Sequence, residues 1–140
     1  MVYYTCLDQA MKRCLQVAQN NCVRFIYGLR KFDHVSSKYP LLKWLKFENL
    51  VTYHFLTFTK KLISTGQPEY LSERLIFSFE VHSRHLRNIS NLLLPPHSSA
   101  LFQRSFSYNA VKMFNSLSPC CRNMSLSCFR KHFKQLHYYY

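Results

Sequence analysis

Hydrophobic residues recur at steps of three and four along much of the chain, which is the period of amphipathic helices. The first such stripe lies within residues 6–27 and consists of Leu7, Met11, Cys14, Leu15, Ala18, Cys22, Phe25 and Ile26. Gly28 follows it and predicts the end of the helix, because glycine takes the left-handed conformation without a Cβ clash. The pattern therefore predicts a long first helix.

Three further helices are predicted in the middle of the chain. Pro40 favours the start of a short helix at 41–47, since its missing N–H is not needed in a first turn. A longer helix at 48–64 is expected to bury Val51, Phe55, Phe58 and Leu62, to leave Lys60 and Lys61 off that face, and to end at Gly66. Another short helix is expected at 69–77, with Tyr70, Leu71 and Leu75 facing inward.

The helical period is lost at residues 81–106, where Asn, Ser and Pro interrupt short apolar segments. We expect two short strands here, at 91–94 and 101–106, paired as an irregular hairpin. Ser105 or Ser107 then caps a helix that runs to Leu117 with Ala110, Val111 and Phe114 inside, and a basic helix follows within 125–137. This last helix is expected to bury Leu126, Phe129, Phe133 and Leu136. The predicted fold is mostly α, with five or six helices and a short irregular β-hairpin in one region spanning 1–140.

Charge adds a second constraint. The chain has 140 residues, 48% of them hydrophobic, which favours a packed core over a disordered tail. Lys and Arg number 19 against 6 Asp and Glu, a formal net charge of +13, and the last acidic residue is Glu80. Such a chain favours an anionic partner, or a larger assembly that supplies the missing acids.

Several classes of function are disfavoured. The chain has only 2 glycines and no Gly-rich phosphate loop, so a nucleotide-binding fold is not expected. No apolar run approaches the roughly 18–20 residues of a membrane-spanning helix, and residues 1–8 lack the features of a secretory signal. We therefore expect an intracellular setting, no membrane or small-molecule partner, and 6 cysteines that are buried thiols rather than disulfides.

The order of motifs resembles the region downstream of the polymerase core in jockey-like, non-long-terminal-repeat retrotransposon reverse transcriptases. Residues 15–28 resemble the family's LQxxQNxxxRxIxG, and residues 39–45 resemble its PLLKxLxWL. Residues 66–71 resemble GxPxYL, 84–88 RxLRS, 104–118 RSFSxxAxxLWNSLP, and 125–136 SxxxFKxxLKxxL. Met113-Phe114 and Ser118-Pro119 depart mildly from the family's Leu-Trp and Leu-Pro.

The resemblance implies RNA-directed DNA synthesis for the full-length relatives, which depends on a (F/Y)-x-D-D motif and an upstream Asp that hold Mg²⁺. This chain has only Asp8 and Asp33, and neither has an acidic neighbour. We therefore expect a C-terminal fragment that is not an enzyme, has no catalytic residue, and has the missing N-terminal polymerase region of the parent protein as a partner.

Basic residues near aromatics form the candidate nucleic-acid-binding set, because Lys and Arg neutralise phosphates and exposed rings stack on bases. The expected partner is the backbone of RNA or DNA. The set comprises Arg84, Arg87, Arg104, Lys112, Arg122, Arg130, Lys131 and Lys134.

Cys121, Cys128, His132 and His137 are the best metal candidates, because Cys128 and His132 share a helix face. Their spacing contains no CxxC turn, so we expect neither a bound metal nor a cofactor. Cys6, Cys14 and Cys22 recur every eight residues, a spacing that turns them around a helix and prevents them from meeting at one ion.

The sequence thus favours a non-catalytic fragment of a retrotransposon reverse transcriptase-like protein that supplies structural packing and cationic nucleic-acid contacts. The alternative is a free-standing basic helical module that binds nucleic acid or protein.

Overall fold

The structure, a computed structural model, describes residues 7–81 and 90–138. The described part is helical and contains no sheet, which confirms the mostly α class. The helices are α1 (Gln9–Tyr27), α2 (Lys38–Leu42), α3 (Phe47–Thr65), α4 (Glu69–Ser72), α5 (Ser78–Val81), α6 (Ala100–Gln103), α7 (Phe106–Ser116), α8 (Pro119–Asn123) and α9 (Leu126–Tyr138). These nine exceed the expected five or six because serine caps and turns convert connectors into one-turn helices.

The predicted hairpin is wrong. Within the described residues, Leu92 forms an isolated antiparallel bridge with Phe77, flanked by hydrogen bonds from the Ser78 N–H to the Asn91 carbonyl and from the Leu93 N–H to the Ile76 carbonyl. Residues 101–106 are mainly helical instead. The Ser99 side chain accepts from the Phe102 N–H and starts α6, and that of Ser105 accepts from the Tyr108 N–H and starts α7.

α3 is the central element and packs against α9, α7, α1 and α4. One face of α3 joins α7 in a core of Phe55, Leu62, Leu75, Leu92, Ala110, Val111 and Phe114. Another face joins α9 in a core of Leu45, Tyr53, Leu56, Phe129 and Phe133. The predicted burial of Val51, Phe55 and Leu62 is confirmed, while Phe58, Tyr70 and Leu136 are exposed.

The expectation that Lys60 lies off the buried face of α3 is also wrong, because its side chain is buried. Its side chain is only 7% exposed. The Nζ donates to the carbonyls of Cys121 and Arg122 at 3.0 and 2.8 Å and lies 5.1 Å from the centre of the Phe129 ring. Burial lowers the pKa of this amine. Lys60 therefore connects α3 to the end of α8.

α1 is oriented opposite to the usual rule for an amphipathic helix, which buries its apolar stripe. Met11, Leu15, Phe25 and Ile26 are exposed, Phe25 to 90%, and together with Cys14, Ala18 and Cys22 they form what we call the α1 outer face. Only Val23 of this helix is buried. The expectation of buried thiols is wrong for Cys14, Cys22, Cys120 and Cys128, which are exposed, while Cys121 is partly buried and Cys6 lies outside the described residues.

Polar side chains attach α1 to the rest of the molecule. The Gln16 Oε1 accepts the Phe47 N–H at 2.9 Å, and the Gln19 Nε2 donates to the Leu45 carbonyl at 2.8 Å. The Tyr39 hydroxyl accepts from the Gln16 Nε2 at 2.9 Å and donates to the Asn20 Oδ1 at 2.7 Å. The inner face of α1 thus combines an amide network with a small apolar cluster, in which Val23 packs with Val35 and Tyr39.

Candidate nucleic-acid interface

The structure brings together three of the eight candidate cations. Arg130, Lys131 and Lys134 are exposed on α9, where Arg130 and Lys134 share one face and Lys131 lies beside it. Lys112 is exposed on α7, and Arg104 is exposed just after α6. Arg84 and Arg87 lie outside the described residues.

Arg122 has a structural role. Its Nε donates to the Leu117 carbonyl at 2.8 Å, one terminal nitrogen donates to the Asn115 carbonyl at 2.7 Å, and the other donates to the Asn91 Oδ1. The side chain is half-buried. Because these contacts join α7, α8 and the segment before Leu92, we remove Arg122 from the nucleic-acid-binding set.

Packing of α9 on α3 fixes where its charges lie. Phe129 and Phe133 are 1% and 6% exposed, and the Phe133 ring lies 5.7 Å from that of Tyr53. With these two rings directed inward, the neighbouring basic side chains of α9 reach the boundary with α3. Lys134 crosses that boundary, and its Nζ lies 5.3 Å from the centre of the Tyr53 ring.

A groove follows this boundary. It consists of two adjoining hollows of about 500 and 420 Å³ that share Tyr53, His54 and Lys134. We call it the α3–α9 groove; its lining is Gln19, Lys43, Trp44, Leu45, Leu50, Tyr53, His54, Thr57, Arg130, Lys131 and Lys134. The larger hollow is mainly apolar because Trp44, Leu45 and Leu50 line it.

The groove carries positive charge. Its described lining includes four cations, Lys43, Arg130, Lys131 and Lys134, and no carboxylate. An uncompensated cluster of this kind attracts polyanions, and each phosphate that it neutralises releases condensed counterions. The lining thus favours a phosphate chain over a neutral ligand.

An unusual backbone conformation places Trp44 at the end of this groove. Lys43, which follows α2, has φ 53° and ψ 35°, a left-handed conformation that is costly for a residue with a Cβ atom. The Lys43 and Trp44 N–H groups donate to the carbonyls of Pro40 and Tyr39, both at 3.0 Å. Trp44 retains 38% of its surface exposed. This turn presents a cation and a large ring side by side.

The metal candidates do not converge. Among the described residues, no group of three or more His, Cys, Asp or Glu side chains could hold an ion. His137 stacks on Phe133 with ring centres 4.1 Å apart, and Cys121 packs against the core around Phe129. Cys128 is exposed. The spacing of these residues in the sequence therefore does not become a ligand geometry.

Sequence reasoning missed Lys43, Trp44, Tyr53, His54 and Thr57 as groove residues. The sequence does mark Lys43 and Trp44, because both lie within the string that resembles PLLKxLxWL. The other three lie on α3, whose pairing with α9 spans about half of the chain and is not encoded by local periodicity.

Comparisons of the chain with protein-family models, with curated proteins and with solved structures find no match. No helix in the described residues is long and apolar enough to cross a membrane.

Proposed function

We propose that the chain is a non-catalytic helical region of a retrotransposon reverse transcriptase-like protein, and that it contacts the backbone of RNA or DNA through the α3–α9 groove. The observation that carries the nucleic-acid half of this proposal is the cluster of Lys43, Arg130, Lys131 and Lys134 around a groove without a lining carboxylate. Nucleic-acid backbones are the polyanions that such surfaces fit.

The other half of the proposal, that the chain is a structural region of such a protein, is supported by the roles of residues in the motifs that resemble the family. In the string that resembles LQxxQNxxxRxIxG, Gln16, Gln19 and Asn20 join α1 to the start of α3 and to Tyr39. In the string that resembles RSFSxxAxxLWNSLP, the Asn115 side chain forms hydrogen bonds with both backbone groups of Leu92, at 2.9 and 2.8 Å. These motif residues hold helices together rather than activate a substrate.

The α1 outer face supports docking onto a further polypeptide. Contiguous exposed apolar surface on a helix is typical of interaction sites. Under this proposal the partner is the missing N-terminal polymerase region of the parent protein. A reading frame with a (F/Y)-x-D-D motif directly upstream of the gene segment would support this assignment, and its absence would favour the free-standing basic module.

A salt titration tests the nucleic-acid contact. Binding of a labelled 12-nucleotide single strand is measured by fluorescence anisotropy between about 50 and 200 mM salt, where phosphate-mediated affinity falls steeply. Neutralising all three α9 cations (Arg130→Gln, Lys131→Gln and Lys134→Gln) should reduce the slope of log affinity against log salt by about 2, since each phosphate contact on a single strand contributes about 0.7.

A matched triple variant controls for net charge. Arg13, Lys31 and Lys61 are exposed outside the α3–α9 groove, and replacing each with Gln removes the same charge. The proposal predicts a much smaller change in slope for this control. Equal slopes for both variants, or no binding of either single strands or duplexes by the unmodified chain, would reject it.

Catalysis is tested separately by primer extension. Because the chain carries only Asp8 and Asp33 and no (F/Y)-x-D-D motif, we expect no Mg²⁺-dependent extension by the purified chain. Primer extension that depends on this chain would contradict the non-catalytic assignment.

A further inference from the structure

Thr57 is the exception among the threonines of α3. The hydroxyls of Thr52, Thr59 and Thr65 each donate to the carbonyl four residues earlier, at 3.0, 2.9 and 2.8 Å. The Thr57 hydroxyl has no partner although the residue is only 9% exposed. A buried hydroxyl that forgoes the nearby helix carbonyl is destabilising, and such groups in folded proteins call for a specific explanation.

The position of Thr57 supplies that explanation. This residue lines the part of the α3–α9 groove that also contains Arg130, Lys131 and Lys134. A rotation to another staggered rotamer about its Cα–Cβ bond moves the hydroxyl to a different position, and this can turn it toward the groove. Phosphate oxygens bound by the three cations would then accept the missing hydrogen bond.

The opposite end of the groove fits a base. Trp44 is the only tryptophan in the chain and lies there beside Leu45 and Leu50. The strained Lys43 turn that presents it is the kind of backbone outlier that clusters at functional sites. Aromatic rings bind bases of any sequence by stacking.

A groove with three α9 cations and one exposed tryptophan ring discriminates between forms of nucleic acid. Bases of a duplex are stacked inside the helix, so a duplex can offer phosphates to α9 but no ring to Trp44. A single strand can offer both at once. Such an arrangement favours single strands.

We propose that the α3–α9 groove binds a single-stranded segment, with an unpaired base stacked on Trp44, its phosphates bound by Arg130, Lys131 and Lys134, and the Thr57 hydroxyl donating to a phosphate oxygen. This inference rests on the proposed function and adds the form of nucleic acid that the groove selects.

The test titrates the full chain with three probes: a 12-nucleotide oligothymidine, an abasic strand of the same number of phosphates, and a 12-base-pair duplex. Emission from Trp44 reports stacking directly, because no other tryptophan contributes. We expect oligothymidine to quench this emission and to bind about tenfold more tightly than the abasic strand, within the range that one base–aromatic stack provides. The duplex should bind without quenching.

Two variants and one control variant assign the roles. Trp44→Leu should lower affinity for oligothymidine to that of the abasic strand and leave abasic binding unchanged, whereas Tyr70→Leu, at a ring 66% exposed outside the groove, should alter neither. The isosteric Thr57→Val should weaken both single strands a few-fold without lowering thermal stability, because the hydroxyl has no protein partner to lose.

The outcomes separate the two proposals. Equal affinity for oligothymidine and the abasic strand without quenching would overturn the single-strand inference and leave the proposed function standing. Unchanged binding by Thr57→Val would overturn the role of Thr57. Failure of all three probes to bind would overturn the inference together with the proposed function.

Discussion

α1 and α9 are both amphipathic helices, yet they face the molecule with opposite sides. α9 buries its aromatic stripe against α3, leaving Phe129 only 1% exposed, whereas α1 leaves Phe25 90% exposed. The difference lies in what each helix meets. α9 meets the apolar side chains of Tyr53 and Leu56. α1 instead meets backbone groups at the start of α3, and its one buried apolar residue, Val23, packs in a small separate cluster.

Those backbone groups explain the orientation of α1. The first N–H groups of a helix need partners from outside it. α3 begins after Lys46, which makes no side-chain capping bond, and Gln16 supplies an acceptor for the Phe47 N–H. Periodicity thus identifies the two faces of a helix, but the partner decides which face is buried.

The largest expected effect is the difference in stability loss between a phenylalanine of α9 and one of α1. Phe129→Ala should lower the free energy of unfolding by about 3–5 kcal/mol, because it removes a buried ring and leaves a cavity. Phe25→Ala removes the same ring from an exposed position and should change stability by less than about 0.5 kcal/mol. Urea unfolding followed by circular dichroism measures both. Similar losses would contradict the assigned orientation of α1.

The amide network gives the next largest effect. Gln16→Ala removes contacts to Asn20, Tyr39 and the Phe47 N–H, and should cost about 1–3 kcal/mol. Leu15→Ala, next to it on the α1 outer face, should cost less than about 0.5 kcal/mol. If Leu15→Ala proved the more damaging, the apolar face would be the buried one.

Tyr39 gives the amide network a pH dependence. Burial is the main cause that raises the pKa of Tyr39 above its usual value of 10.0. Because the pKa of Tyr39 is raised in the folded state, its neutral hydroxyl contributes to the free energy of unfolding. This contribution is complete below about pH 10 and is lost as the pH rises further. Tyr39→Phe should cost about 1 kcal/mol at pH 7 and flatten the alkaline decline. If the urea midpoints of the unmodified chain and of Tyr39→Phe declined in parallel between pH 8 and 11, this role would be contradicted.

The smallest effect on stability concerns the α1 outer face itself. Exposed apolar patches promote association. The chain should therefore self-associate at high concentration in light scattering, and Leu15→Lys with Phe25→Lys should reduce this while leaving stability nearly unchanged. Ser98→Lys with Gln103→Lys adds the same charge at exposed positions elsewhere and serves as the control. An unmodified chain that stays monomeric would contradict this expectation.

Local chemistry made part of the fold predictable. The stops at Gly28 and Gly66 are confirmed, with left-handed φ values of 60° and 67° that suit glycine. The inward residues of α7, and Phe129 and Phe133 of α9, also follow from their spacing, whereas Leu126 is only partly buried. The hairpin failed because Ser99 and Ser105 cap helices, a local hydrogen bond that outweighs strand-like composition.

The candidate site was only partly predictable. The charges of Arg130, Lys131 and Lys134 are visible in the sequence, but their neighbours come from α3 and from the Lys43 turn. In the sequence Arg122 is equivalent to these cations, but its hydrogen bonds to Leu117 and Asn115 give it a structural role. Long-range packing decides which cations face solvent, and no local pattern records it.

A chemical-shift map tests the central claim, that the α3–α9 groove is a nucleic-acid-binding surface, most directly. ¹⁵N-labelled chain is titrated with 12-nucleotide oligothymidine, and the backbone and indole resonances are followed. We predict the largest shifts at the Trp44 indole, His54 and Lys131, and none at Leu15 or Phe25 on the α1 outer face. Shifts centred on α1, or no shifts in the groove, would contradict the account.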